Sequence, residues 1–296
     1  MVETVTAADL FTQWEIPWFV TGTLALSGAI YTRGWRQIRR TRPDRFPPWR
    51  LGCFLTGLLA LFVAVASPLD TFSESLLIMH MAQHWVLMSI APPLIVLGAP
   101  VVPMLRGLPR WIVRGPLRPL FRTRIFHTFG RILTRPEVAW LAMNAAYLGW
   151  HVPAAYEFAL SSENWHNLEH ACFFFTNVMF WWPVIAPWPS RPRFNRWLLL
   201  PYLLVADIVN TAIAAFLCFA GRLIYPSYAE VPRLFGISAL HDQVIAGTFM
   251  WICGSMVFLI AAVAVVLKLF SRSENRREYV PAEGEDVWWV MATRTK

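Results

Sequence analysis

Residues 79–100 read MHMAQHWVLMSIAPPLIVLGAP, an apolar run long enough to cross the roughly 30 Å hydrocarbon core of a bilayer, which takes about 20 helical residues. Two histidines, His80 and His84, stand four positions apart near its front end. Hydrophobic residues make up 56% of the 296-residue chain and charged residues only 15%, with 16 Trp and 21 Phe, a membrane composition and not that of a soluble enzyme. Comparable apolar stretches lie near 16–33, 51–67, 75–97, 137–156, 166–187, 198–220 and 241–267. They predict an all-α integral membrane protein, a seven-span helical bundle that forms a single transmembrane domain over residues 1–270. A flexible polar tail, 271–296, follows, and only VWWV at 287–290 is expected to touch the interface.

The basic residues orient this bundle. Lys and Arg number seven in 33–50, eight in 104–136, three in 188–197 and six from 268 to the end, while the other linkers hold only Arg222 and Arg233. Short cytoplasmic loops keep positive charge, so the N-terminus is expected outside and the C-terminus in the cytoplasm. The acidic start MVETVTAADLFTQWE lacks a basic n-region, so the first span reads as a retained helix. Topology and anionic headgroups thus account for the net charge of +8, and nucleic acid is not an expected partner. Arg106, Arg110, Arg114, Arg118 and Arg122 recur every fourth position with Trp111, Leu117 and Phe121 between them, which suits a surface-lying segment. Pro109, Pro116 and Pro119 break it, so it reads as an ordinary inner loop and not one continuous helix.

Cys53, Cys172, Cys218 and Cys253 all fall inside spans and form no CxxC pair, which excludes a disulfide framework. A metal site on the oxidising side then relies on His, Met or carboxylate. Six of the seven histidines fall at one depth on the predicted topology: His80 and His84 on the third span, His151 at the end of the fourth, His166 and His170 on the fifth, His241 on the seventh. His127 lies in a cytoplasmic loop and is assigned no role. Residues four apart on a helix share a face, so His80 and His84 form one stripe, continued by Met88, and His166 and His170 another, continued by Asn177. Asn144 and Tyr147 lie beneath His151. Such stripes turn toward a bundle interior, because polar groups facing lipid are costly.

Imidazoles gathered at one level are poor packing but good ligands for Zn, Cu, Fe and Ni. The candidate metal ligands are His80, His84, His166, His170, His241, His151 and Met88. Met79, Met81 and Met88 surround the first pair, and thioethers favour copper as Cu(I). Met250 is out of phase with His241 and reads as packing; Cys172 points away from the pocket, whereas Cys218 is able to approach it. Two other metals stay open. HNLEH at 166–170 matches H-x-x-E-H, which would make His166 and His170 zinc ligands and Glu169 the general base of a membrane hydrolase. Two imidazoles such as His80 and His170 would also hold a heme. Asp207 and Asn210, in the sixth span, read either as a transport path or as groups bonded to a neighbouring helix.

The blocks SPLDTFSESLLIMHMAQHWVLMSIAPPLIVLGAP, WHVPAAYEFAL, WHNLEHACFF with FWWPV, and HDQVIAGTFMW occur in that order, and over about 51–267 the chain resembles the CtaG family of multi-span membrane proteins tied to assembly of caa-type cytochrome c oxidase. The resemblance implies a bacterial plasma-membrane protein, a chaperone that serves maturation of a heme-copper oxidase by handling its copper and is not an enzyme. Cytochrome c oxidase subunits, the lipid bilayer and a soluble copper donor on the outer side are then the expected partners. The matching positions are His80, His84, His151, His166, His170 and His241, followed by Asp242 and Gln243. On this reading Glu74, Glu157, Glu163 and Asp242 attract the cation, and Asn144, Asn177 and Gln243 orient imidazoles.

Overall fold

The computed structural model describes residues 11, 12, 14, 16–117, 119, 123–190, 194–231 and 234–277, and among them the chain is helical without a strand. Arg118, Phe121, Arg122 and the tail 278–296, with its VWWV, lie outside the described residues. The helices are α1 (Trp18–Arg39), α2 (Pro48–Val65), α3 (Pro68–Ser73), α4 (Leu77–Leu97), α5 (Val101–Gly107), α6 (Arg124–Leu133), α7 (Pro136–His151), α8 (Pro153–Leu160), α9 (Glu163–Ile185), α10 (Arg196–Phe219), α11 (Ser227–Glu230) and α12 (Ala239–Arg277).

Three of them, α2, α10 and α12, are long and apolar enough to cross a membrane, and α4 with α5, bent by 68°, makes a fourth if the pair is one broken span. The remaining expected spans coincide with α1, α7 and α9, which fall short of that standard. Helix α7 has only 16 residues, and α9 opens on the polar run ENWHNLEH. Large apolar side chains such as Leu59, Leu141, Ile208 and Leu259 face outward, about 60% exposed, and form a far larger apolar surface than a water-soluble monomer carries. The molecule is a membrane protein by this surface.

The interior is set by close backbone approaches and by two prolines. A Cβ on Gly34 would collide with the Pro103 carbonyl, and one on Gly107 with the Ile30 carbonyl, so α1 and α5 touch backbone to backbone. Inside α4 the Pro92 ring has no N–H to give to the Met88 carbonyl. That turn relaxes into a π-helix over Val86–Ile90, and the freed Met88 carbonyl accepts the Trp181 indole N–H from α9 at 3.2 Å. Segments rich in arginine meet at one end of the bundle, where Tyr31 donates to the Gly98 carbonyl at 2.6 Å and the Phe46 and Trp188 rings touch edge to face. At the opposite end Tyr228 donates to the Ser73 carbonyl and Trp14 to the Ala66 carbonyl.

One stretch read as an inner loop is partly a helix. Once past Pro119 the chain has no breaker until Pro136, and Thr123 accepts the Phe126 amide to start α6. Ile125, Phe126, Phe129 and Ile132 fall on one exposed face of α6, with Arg124 and Arg131 on the same short helix, the pattern of a helix lying in a lipid interface.

The contact between α1 and α5 yields a direct test. Gly34→Ala or Gly107→Ala should cost about 3 kcal/mol by overpacking, lowering the thermal midpoint read by tryptophan fluorescence in detergent. Gly22→Ala, where nothing lies within 4 Å, should leave it unchanged or raise it.

Candidate metal centre

Helix α4 presents His80 and His84 from successive turns, and α9 presents His166, Glu169 and His170 against them. The ring centroids of His80 and His84 are 4.3 Å apart and those of His166 and His170 are 4.1 Å apart. Across the helices, His80 lies 5.1 Å from His166, and His84 lies 5.3 Å from His170. One ligand atom from each of His80, His84, His166 and Glu169 falls within 4.8 Å of all the others. The Glu169 carboxylate comes to 3.9 Å from His84 Nε2, too far for a hydrogen bond.

These groups are buried and unmet. His80 is 0% exposed, His84 3%, Glu169 1% and His170 6%. Both ring nitrogens of His80 and of His84, Nε2 of His166 and of His170, and both Glu169 oxygens have no hydrogen-bond partner in the protein. Buried polar atoms are ordinarily satisfied, and each one left unmet costs about 1–3 kcal/mol. An imidazole ligates through one nitrogen, so one atom from each of His80, His84, His166 and Glu169 is what the cluster brings together, a set that could hold a cation.

The surroundings fix the two helices. Asp242, at the start of α12, accepts the Leu77 amide at 2.6 Å and the Ile78 amide at 3.1 Å, capping α4 one turn before His80. Gln83 donates to the Ala64 carbonyl at 2.7 Å and to Asp70 at 2.6 Å, which ties α4 to α2 and α3. Tyr156 packs on His80 and donates to the Tyr228 hydroxyl at 3.1 Å. A funnel of about 790 Å³ leads from the surface to His80, His166 and His170, passing Asp70, Glu74 and Glu163. Burial raises the Asp70 carboxyl above its ordinary range, with the Gln83 hydrogen bond opposing the shift. Burial and the neighbouring Asp70 raise Glu74 as well. A cation nearby would oppose these shifts, because opposite charge favours the ionised carboxylate.

The predicted site residues therefore divide. His80, His84, His166 and His170 meet. His151 lies outside this group on α7, its Nδ1 bound to the Tyr147 carbonyl at 2.7 Å and its ring 6.0 Å from that of Phe173, which also packs on His84. His241 is exposed and joins no histidine, because the next residue, Asp242, is the one turned inward to cap α4. Met88 is buried below the cluster.

Several supporting roles differ from those read in the sequence. Asp242 is a helix cap and not a surface attractor. Glu157 binds the amide and hydroxyl of Ser227. Gln243 holds the Ile224 amide and the Leu217 and Arg222 carbonyls and touches no imidazole. Asn144 and Asn177 donate to carbonyls of their own helices. Cys218 packs on Val244 and Thr248 of α12, away from the cluster. Asp207 accepts from Ser255 at 2.7 Å, the bonded state of the two that the sequence left open. Glu169 was read from the sequence as a general base beside His166 and His170, while Gln83 and Tyr228 were not singled out; a glutamine in an apolar run was the available signal for Gln83.

An all-helical membrane protein with a buried His/Glu cluster below an acidic mouth defines the class. Residues 29–272 match the family described as cytochrome c oxidase caa3 assembly factor, and the chain belongs to it. No curated protein and no solved structure matches.

Replacing Asp242 by Ala removes the cap without touching a ligand. The rise in thermal midpoint on adding metal should shrink in Asp242→Ala, and Asp242→Asn, which keeps one acceptor, should lie between it and the wild type.

Proposed function

We propose that this chain assists caa3 oxidase assembly by binding copper at His80, His84, His166 and Glu169, with His170 beside them, and passing it to an oxidase subunit. The observation that carries the reading is the cluster of buried, unpartnered polar atoms on His80, His84, His166, His170 and Glu169; of these residues, His80, His166 and His170 line the funnel. In this proposal the protein is a seven-span bundle of the bacterial plasma membrane with its N-terminus and the funnel outside. The arginine-rich end then faces the cytoplasm, in line with the charge rule.

Copper enters as cargo. A monovalent ion beside one ionised carboxylate, Glu169, makes a neutral unit, whereas a divalent ion leaves a net charge in low dielectric. That favours Cu(I), which accepts imidazole. Asp70, Glu74 and Glu163 concentrate cations, or the basic surface of a donor protein, at the mouth. The ligands are neutral imidazoles with one carboxylate and no thiolate, so an incoming oxidase ligand replaces them one at a time. No bond chemistry is required.

Glu169 also keeps the zinc reading alive, since its carboxylate sits among His84, His166 and His80, where a general base would. Heme is disfavoured: the His80 and His170 rings stand 6.5 Å apart, but His84 and His166 lie 4.1 to 5.3 Å from both, which leaves no slot for a macrocycle.

The test is complementation of a strain lacking the protein. A His80→Ala/His166→Ala variant that accumulates in the membrane should leave the oxidase short of copper and inactive, with added copper restoring part of the activity. Full oxidase copper and activity in that variant would overturn the proposal.

A further inference from the structure

Beneath the histidine cluster a second, smaller cavity of about 40 Å³ sits in the core of the bundle, room for one water-sized or ion-sized occupant. Its wall includes Met81, Met88, Met143 and Met250 together with His151 and Asn144. These come from α4, α7 and α12, so three helices direct soft donors into one small space. All of them are nearly inaccessible from outside, with Met88 9%, Met143 3%, Met250 6%, His151 6% and Asn144 4% exposed.

Two polar atoms of this wall are unmet. His151 Nδ1 is taken by the Tyr147 carbonyl, which puts the proton on Nδ1 and leaves Nε2 as a lone pair with no partner. Asn144 gives its amide to the Trp140 carbonyl, and its Oδ1 has none. The backbone around the cavity is pinned: Tyr147 donates to Asn210 at 3.1 Å, and the π turn holds the Met88 carbonyl on Trp181. No carboxylate lines the cavity; Asp207, on the same helix as its lining residue Asn210, is engaged by Ser255. His84 belongs to both places, as a member of the upper group and as part of the lower wall.

We propose that this chamber is a second metal site, specific for Cu(I), formed by Met88, Met143, Met250 and His151 and reached from the upper cluster through His84. Thioether and neutral imidazole select a soft monovalent ion. A divalent ion with no carboxylate for company is strongly disfavoured in so dry a site. The inference rests on the copper reading of the upper cluster and adds a deeper resting place for the same cargo. Met143, on a helix the sequence offered for His151, Asn144 and Tyr147, is drawn in, and Met250 becomes a ligand instead of packing.

The experiment loads the detergent-purified full chain with Cu(I) under reductant, and reads copper per chain and the X-ray absorption fine structure at the copper edge. The wild type should show sulfur together with nitrogen or oxygen around copper. Met88→Leu/Met143→Leu/Met250→Leu, which nearly preserves volume, should lose the sulfur scattering and about half of the copper, keeping a nitrogen and oxygen shell. His80→Ala/His166→Ala should lose the other half and become richer in sulfur. Sulfur-bound copper that persists in this second variant supports the inner site even if the upper cluster holds nothing. A wild-type shell with no sulfur, or a triple variant indistinguishable from wild type, overturns the inner site while leaving the upper reading intact. No copper in any form overturns both.

Discussion

The structure turns on a cost: eight buried polar atoms of four histidines and one glutamate, gathered with no hydrogen-bond partner among the described residues. At roughly 1–3 kcal/mol each, their combined penalty is on the scale of the whole stability of an ordinary domain. A bundle keeps such a cluster only if its helices are held firmly from elsewhere. The Asp242 carboxylate on the first amides of α4, Gln83 reaching to α2 and α3, and the tyrosines behind His80 do the holding. In the copper proposal a cation would relieve the cost, and the carboxylates of Asp70, Glu74 and Glu163 border the way to it.

The same restraint explains the middle of the bundle. Pro92 and Pro93 deny two amide donors to α4, and the π turn that results frees the Met88 carbonyl for Trp181. The turn thereby fixes α4 against α9 one step below the cluster, at the level of the methionine-lined cavity. Helix α4 contributes to mouth, histidine cluster and chamber alike, through His80, His84 and Met88.

How much of this was legible in the sequence depended on the kind of signal. Helical phase alone put His80 with His84 and His166 with His170, since spacing by four is a property of the local backbone. Long apolar runs located α2, α10 and α12, and the family blocks agreed with the match over residues 29–272. Phase could not say which of two adjacent residues turns inward when a helix starts, so His241 was expected in the pocket and Asp242 at the rim, the reverse of what is found. Nor could it show that His151 stays out of the His80, His84, His166 and Glu169 group, because that depends on how α7 and α9 cross. Met143 and Met250 lacked any local mark, as methionine in an apolar helix is usually packing.

The central claim is that the cluster below the funnel holds copper. The most direct measurement is elemental analysis with an optical spectrum of the full chain, purified from cells supplied with both copper and zinc, beside His80→Ala/His84→Ala. The account predicts copper without a Soret band in the wild type and its loss in the variant; zinc in its place, a heme spectrum, or a wild-type protein free of metal would contradict it.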